Sequence, residues 1–225
     1  MLFARALQPA WSPGGRQLVF RAFLGPAEAD MGVGALKVAA ADGSRVRTLF
    51  PGPTFDATRS QPAWSPDGKW IVFERKSYAD PTYRLYLIRT DGSHLHRLTS
   101  GTYPAWSPNG KLIAFERDEL VGDSWKTAVW VIPPAGEHAR RISAYAERGR
   151  CPTWSPDGKR LALVTTFYRI QAEPLPPQVS WALSIVHPDG TARKTLPGPS
   201  PCIVESSFPS PPSWSRDGRD IYYAG

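Results

Sequence analysis

The stretch PAWSPDGKWIVFER, residues 62–75, reads as one tight β-hairpin. Its centre, Ser65-Pro66-Asp67-Gly68, suits a type I turn. Proline presets φ at the second position, the aspartate oxygen can accept from nearby backbone N–H groups, and glycine takes a positive φ without steric penalty. The strand that follows, Trp70-Ile71-Val72-Phe73, is apolar at every position instead of alternating, so both of its faces must be covered. A lone sheet would leave one face in water, whereas a blade between two neighbouring blades would not.

The stretch recurs. PAWSPNGKLIAFER at residues 104–117 nearly duplicates it, and Trp-Ser-x-x-Gly occurs at Trp11, Trp64, Trp106, Trp154 and Trp214, with Gly15, Gly68, Gly110, Gly158 and Gly218 as the glycines. The tryptophans stand 53, 42, 48 and 60 residues apart, which are blade-sized intervals with insertions. A second hairpin closes each repeat: third strands at 36–40, 85–89, 128–132 and 182–186 run into the turns Asp42-Gly43, Asp91-Gly92, Ala135-Gly136 and Asp189-Gly190. Two hairpins make four strands per repeat. The expected fold is therefore an all-β β-propeller of four-stranded antiparallel blades, four complete and a fifth partial. It forms a single domain over residues 1–225, with blades at about 8–50, 61–100, 103–143, 151–197 and 211–225. The last repeat reaches only Ile221-Tyr222-Tyr223-Ala224-Gly225, so the expected propeller is incomplete or truncated, or is completed by another chain.

These paired hairpin signals resemble the WD40-like, PD40-type propeller repeat typified by the TolB family, and the resemblance covers nearly the whole chain. The blades are also similar to those of the propeller domains of prolyl-oligopeptidase-type peptidases and tricorn-like proteases. The Gly-His and terminal Trp-Asp pairs of true WD40 repeats do not occur. A TolB would bring an export signal, a separate N-terminal domain and more blades, so the resemblance implies kinship of the repeat rather than TolB function.

Composition agrees with many short strands and tight turns: 24 prolines, 19 glycines and 9 tryptophans. The net charge of +7 comes without a dense basic block, which argues against a nucleic-acid interface. No run approaches the roughly 20 apolar residues of a membrane span. Residues 1–10 lack the pattern of a secretory signal, so the expected location is cytoplasmic, or periplasmic or extracellular if the N-terminus is truncated. Cys151 and Cys202 have no metal-ligand spacing, and whether they bond to each other is left open by the sequence.

Recognition is expected where the repeats differ. The connections between second and third strands span 15, 11, 12 and 18 residues and read as variable loops. Tyr78, Tyr83, Trp125, Phe167 and Tyr168 lie in them, with Tyr103, Phe55 and Tyr145 contributed by the connections between blades; aromatic residues make efficient interface anchors. Of these, Tyr78, Tyr83, Tyr103, Trp125, Phe167 and Tyr168 form the candidate partner-binding set, for a protein or peptide. Glu74, Glu116, Asp118 and Asp123 read as solvated loop charges on the same side. Gln8, Gln61, Tyr103, Cys151 and Pro211 open the innermost strands and should border a channel. The fourth strands are basic (Arg45, Arg47, His96, Arg97, Arg140, Arg141, Arg193, Lys194), as exposed edge strands commonly are. His94 and His96 share a strand face without an evident third ligand.

No Gly-x-Ser-x-Gly nucleophile motif occurs, and no catalytic residue, cofactor or metal site is expected. The preferred function is a noncatalytic binding or scaffold module for protein or peptide partners, with self-association or further blades completing the propeller. The alternative is an accessory propeller, or a fragment, of a prolyl-oligopeptidase-like serine peptidase or another propeller hydrolase or lyase.

Overall fold

The computed structural model describes residues 6–23, 34–54, 62–77, 80–145, 149–169, 178–197 and 211–223. Strands β1 (Ala6–Trp11), β2 (Gln17–Phe23), β3 (Gly34–Ala40) and β4 (Arg47–Thr54) form one antiparallel sheet in chain order. A second such sheet follows, with β5 (Ala63–Trp64), β6 (Trp70–Ser77), β7 (Asp80–Arg89) and β8 (His96–Ser100). Strand β9 (Thr102–Trp106) opens the third repeat, which continues through the paired strands β10 (Ile113–Val121), β11 (Ser124–Ile132) and β12 (Arg140–Arg141). The fourth sheet is β13 (Gly149–Trp154), β14 (Leu161–Arg169), β15 (Gln178–Val186) and β16 (Lys194–Pro197). Strands β17 (Ser213–Trp214) and β18 (Ile221–Tyr222) form a two-stranded sheet. The fold is all-β, built of four-stranded blades of the propeller type. The chain divides into two compact units, Met1–Trp106 with Pro134–Gly136, and Ser107–Pro133 with Glu137–Gly225.

The turn chemistry is that of the quoted hairpin. Gly68 N–H donates to Ser65 O at 2.9 Å, closing the turn, and Gly68 sits at φ +68°. Ser65 Oγ donates to Asp67 Oδ1 at 2.6 Å and accepts from Trp70 N–H at 2.9 Å, while Lys69 N–H donates to Asp67 Oδ1 at 3.0 Å. One serine and one aspartate thereby satisfy the backbone groups that the turn removes from the ladder. The same set recurs around Ser155 and Asp157, around Ser215 and Asp217, and, with Asn109 as the acceptor, around Ser107.

The second strands are covered on both faces, as their unbroken apolar runs require. Ile71, Val72 and Phe73 of β6, Ile113, Ala114 and Phe115 of β10, and Leu161, Ala162 and Leu163 of β14 are all fully buried. In the first unit one core joins Val19, Leu36, Val38 and Leu49 of the first sheet to Trp64, Ile71, Phe73 and Ile88 of the second. Trp64 locks this joint: its indole is buried, and Nε1 donates across to Ala10 O at 3.0 Å.

The third strands are longer than the sequence suggests. The expected loop before Ala128 is continuous ladder: β10 and β11 pair from Ile113↔Ile132 out to Val121↔Ser124, with only Gly122 and Asp123 at the turn. Strands β14 and β15 likewise pair out to Arg169↔Gln178, and β6 and β7 out to Ser77↔Asp80. Tyr83, Trp125, Phe167 and Tyr168 are therefore strand residues on extended hairpins. Polar and aromatic residues on a two-stranded ribbon outside the core keep the ladder hydrogen bonds without needing the apolar pattern that marks a buried strand.

Candidate functional hairpins and inner-strand bulges

Each inner strand breaks its ladder at the residue before the proline. Leu7 pairs Arg21 and Ala10 pairs Val19, so Gln8 and Pro9 together oppose one residue; Cys151 and Pro152 do the same between Arg150↔Val164 and Thr153↔Ala162. Gln8, Tyr103 and Cys151 sit at φ +53°, +51° and +49°, a left-handed conformation that side chains other than glycine rarely adopt. A bulge frees a backbone N–H from the ladder, and that group needs a partner when buried. In the second unit it has one: Cys151 N–H donates to Glu116 Oε1 at 2.6 Å.

Glu116 lies ten positions beyond its motif tryptophan, where Glu74 and Arg21 stand in earlier repeats. All three are buried. Glu74 and Glu116 are thus not the solvated loop charges that their neighbourhood in the sequence suggests; they end the apolar runs of β6 and β10, still inside the sheets. Arg21 Nη2 donates to Glu74 O at 2.7 Å. Burial draws the Arg21 guanidinium below its ordinary value, and the nearby Glu74 and Tyr83 pull it back up. Asp118 and Asp123 are exposed as expected, with Asp118 Oδ1 accepting from Thr127 Oγ1 at 2.6 Å across the hairpin.

The β10–β11 hairpin carries the most exposed aromatic of the candidate set. Leu120 and Trp125 are cross-strand partners and share a face; they are 61% and 70% exposed, and Val121 beside them is also exposed. At the base of the same hairpin, Tyr145 Oη donates to Glu119 Oε2, Arg117 pairs with Glu119 at 3.6 Å, and the Arg141 guanidinium lies 4.1 Å from the Tyr145 ring centre. The bond to Glu119, more than any other influence, raises the Tyr145 hydroxyl above its ordinary value. The tip is thus an apolar pair on a ribbon whose base is fixed by charge. Tyr83 is half-buried with Lys76 Nζ 4.8 Å from its ring centre, and Tyr103 is half-buried at its bulge. Phe167 and Tyr168 pair with Ser180 and Val179. Tyr78, Phe55, Gln61 and Cys202 lie outside the described residues.

Cys151 is buried, and desolvation first, then the Glu116 carboxylate, pushes its thiol far above the ordinary value, which opposes a nucleophilic thiolate. His94 and His96 meet the ring of Trp70 edge-on, with centroids 6.3 and 5.9 Å away. His96 Nδ1 lies 2.9 Å from His94 O, and His94 Nδ1 lies 2.8 Å from Ser93 Oγ. Among the described residues no group of three His, Cys, Asp or Glu side chains is placed to hold a metal. No helix is long and apolar enough to cross a membrane.

Stacked four-stranded blades with a Trp-Ser-x-x-Gly turn and a bulged inner strand define a propeller repeat protein. The TolB beta propeller domain family matches residues 4–172, and the chain belongs to that family. Among solved structures it is similar to a protein assigned as TolB from Agrobacterium tumefaciens, at 21% identity and TM-score 0.65, covering 97% of this chain and 74% of that one. It is also similar to TolB from Acinetobacter baumannii, at 20% identity and TM-score 0.65, over 96% of this chain and 47% of the other. An acylaminoacyl peptidase from Pyrococcus horikoshii is similar at 14% identity and TM-score 0.56, over 85% of this chain and 32% of that one. The chain thus spans about half the length of the A. baumannii protein and a third of the peptidase, and at these identities the likeness is one of fold. No curated protein sequence matches the chain.

Proposed function

We propose that the chain is a noncatalytic binding module that engages a protein or peptide through the tips of its extended hairpins. The observation that carries this reading is the Leu120–Trp125 pair, a large apolar surface held out on a paired ribbon whose base is tied by Tyr145, Glu119 and Arg117. Folding gains little from exposing an indole, while an interface gains a rigid anchor at low entropic cost. The chemistry elsewhere agrees: Glu116 is occupied in capping a backbone amide, and the Cys151 thiol is held protonated.

The test places a photo-crosslinking amino acid at position 125 in cells, identifies the captured protein, and measures its affinity for the purified chain. Trp125→Ala should weaken that affinity by about tenfold or more, as truncation of an interface anchor does, while changing unfolding free energy by less than about 0.5 kcal/mol, as surface substitutions do. Capture of no partner, or an affinity unaltered by Trp125→Ala, sinks the reading. Turnover of peptide substrates by the purified chain would instead favour the accessory-propeller alternative.

A further inference from the structure

Successive repeats within each unit meet through the same joints. Trp64 Nε1 donates to Ala10 O at 3.0 Å and Trp214 Nε1 to Thr153 O at 3.3 Å; in both, the acceptor is the carbonyl just before the preceding repeat's motif tryptophan. The turn glycine of one repeat faces the turn proline of the one before: a Cβ on Gly68 would lie 4.0 Å from Pro13 Cδ, on Gly158 3.5 Å from Pro108 Cδ, and on Gly218 3.5 Å from Pro156 Cδ. The outer turns repeat the pattern on backbone, since Gly92, Gly136 and Gly190 each stand against the carbonyl of Leu49, Leu98 or Ile142, with the added Cβ 3.6 Å from the oxygen. Trp106 departs from the first of these joints: its Nε1 is buried without a hydrogen-bond partner among the described residues.

The first repeat presents the receiving half of this joint to solvent. Trp11 occupies the place of Trp64 and Trp214, yet it is 57% exposed, and a Cβ on Gly15 would meet nothing within 4 Å. The last repeat presents a complementary half: Ser213, which precedes Trp214 as Ala10 precedes Trp11, is exposed, and Tyr222 and Tyr223 beside it in the sheet are 63% and 41% exposed. Exposed indole and phenol rings at two matching faces are surfaces that association covers.

We propose that the first-repeat face around Trp11 and Gly15 binds the last repeat, β17–β18, of a second copy of this chain, with Trp11 Nε1 donating to the carbonyl oxygen of Ser213 of the partner subunit. The joint is continuous in kind with those at Trp64 and Trp214, which is why a copy of the same chain fits it. Arg216 replaces the turn proline in the last repeat, so its guanidinium comes over the open side of Gly15 and the Trp11 ring, where a cation–π contact adds to the joint. Because the two faces differ, the contact is head-to-tail: it either closes on itself or continues along a series of copies.

Light scattering on the purified chain over a range of concentrations tests this. The expected mass rises with concentration to at least twice the chain's 24.8 kDa, and Trp11→Glu, with an unchanged circular dichroism spectrum, weakens association by at least about 30-fold, the loss expected on removing an interface anchor. Trp125→Glu, on the β10–β11 hairpin, should leave the mass unaltered. A second experiment does not depend on the glutamate variant folding. In a Cys202→Ser background, chains carrying Trp11→Cys are mixed with chains carrying Ser213→Cys and treated with a short bismaleimide, and a mixed cross-linked dimer is expected. A mass of one chain at every concentration, dissociation by Trp125→Glu to the same extent as by Trp11→Glu, or the absence of the mixed dimer each overturns the proposal.

Discussion

At the scale of single residues, the turn aspartates are the groups most directly legible in the sequence. Asp67 and Asp157 are held below the ordinary carboxyl value, first by the hydroxyl of Ser65 or Ser155, and the lysine N–H two residues on adds to this. A carboxyl with a lowered folded-state pKa stabilises the fold above its unfolded value near pH 4, and that contribution is lost as pH falls through the folded-state value. Asn109 makes the same turn without a charge, so asparagine is compatible with the geometry. The Asp67→Asn, Asp157→Asn double variant should unfold at a similar temperature at pH 7 and lose less of its melting temperature between pH 5 and pH 3 than the parent; calorimetry across that interval decides. Glu116 was not legible in the same way. Nothing in Phe115-Glu116-Arg117 says that the carboxylate turns inward, because its partner is a backbone amide released by a bulge 35 residues later. Glu116→Ala leaves the Cys151 N–H buried without an acceptor and should cost about 1–3 kcal/mol in urea unfolding, while Glu116→Gln, which keeps a carbonyl oxygen in place, should cost less.

At the scale of elements, hairpin turns and buried strands followed from the sequence because each is set by local chemistry: Ser-x-Asp/Asn-Gly fixes the turn, and an unbroken apolar run fixes burial on both faces. The length of the hairpins did not follow. Val121↔Ser124 and Arg169↔Gln178 are held by backbone pairing between residues whose side chains face water, so periodicity carries no signal there. That is also why Trp125, identified as a candidate contact, turned out to stand on a ribbon rather than in a loop. The motif tryptophans are elements of packing, but unequal ones. Trp64 is buried in the core shared by the first two sheets, and Trp64→Ala should destabilise the chain by about 3–5 kcal/mol in denaturant unfolding. Trp11→Ala, at an exposed copy of the same position, should cost far less in a monomeric sample. Equal losses at the two positions would mean that the shared motif, and not the joint between repeats, sets the energy.

At the scale of the whole molecule, the periodicity of the sequence established the architecture because a repeat cannot bury its two faces alone and must find neighbours of its own kind. Function is less legible, because the repeats agree in what they use for stacking and differ only at the hairpin tips and faces left outside it. The joints described above connect a repeat to its neighbours only, so stability should behave as a chain of nearest-neighbour terms rather than as one indivisible core. Amide hydrogen exchange on Trp64→Ala distinguishes these cases. The loss of the indole and of its bond to Ala10 O should speed exchange in β2 and β6, the strands that share its core, while the paired amides of β14 and β15, joined to other repeats through Trp214 and Gly190, keep their protection. Exchange accelerated equally in all four strands would mean that the repeats open together, and the contribution of each joint could then no longer be assigned to the pair of sheets it connects.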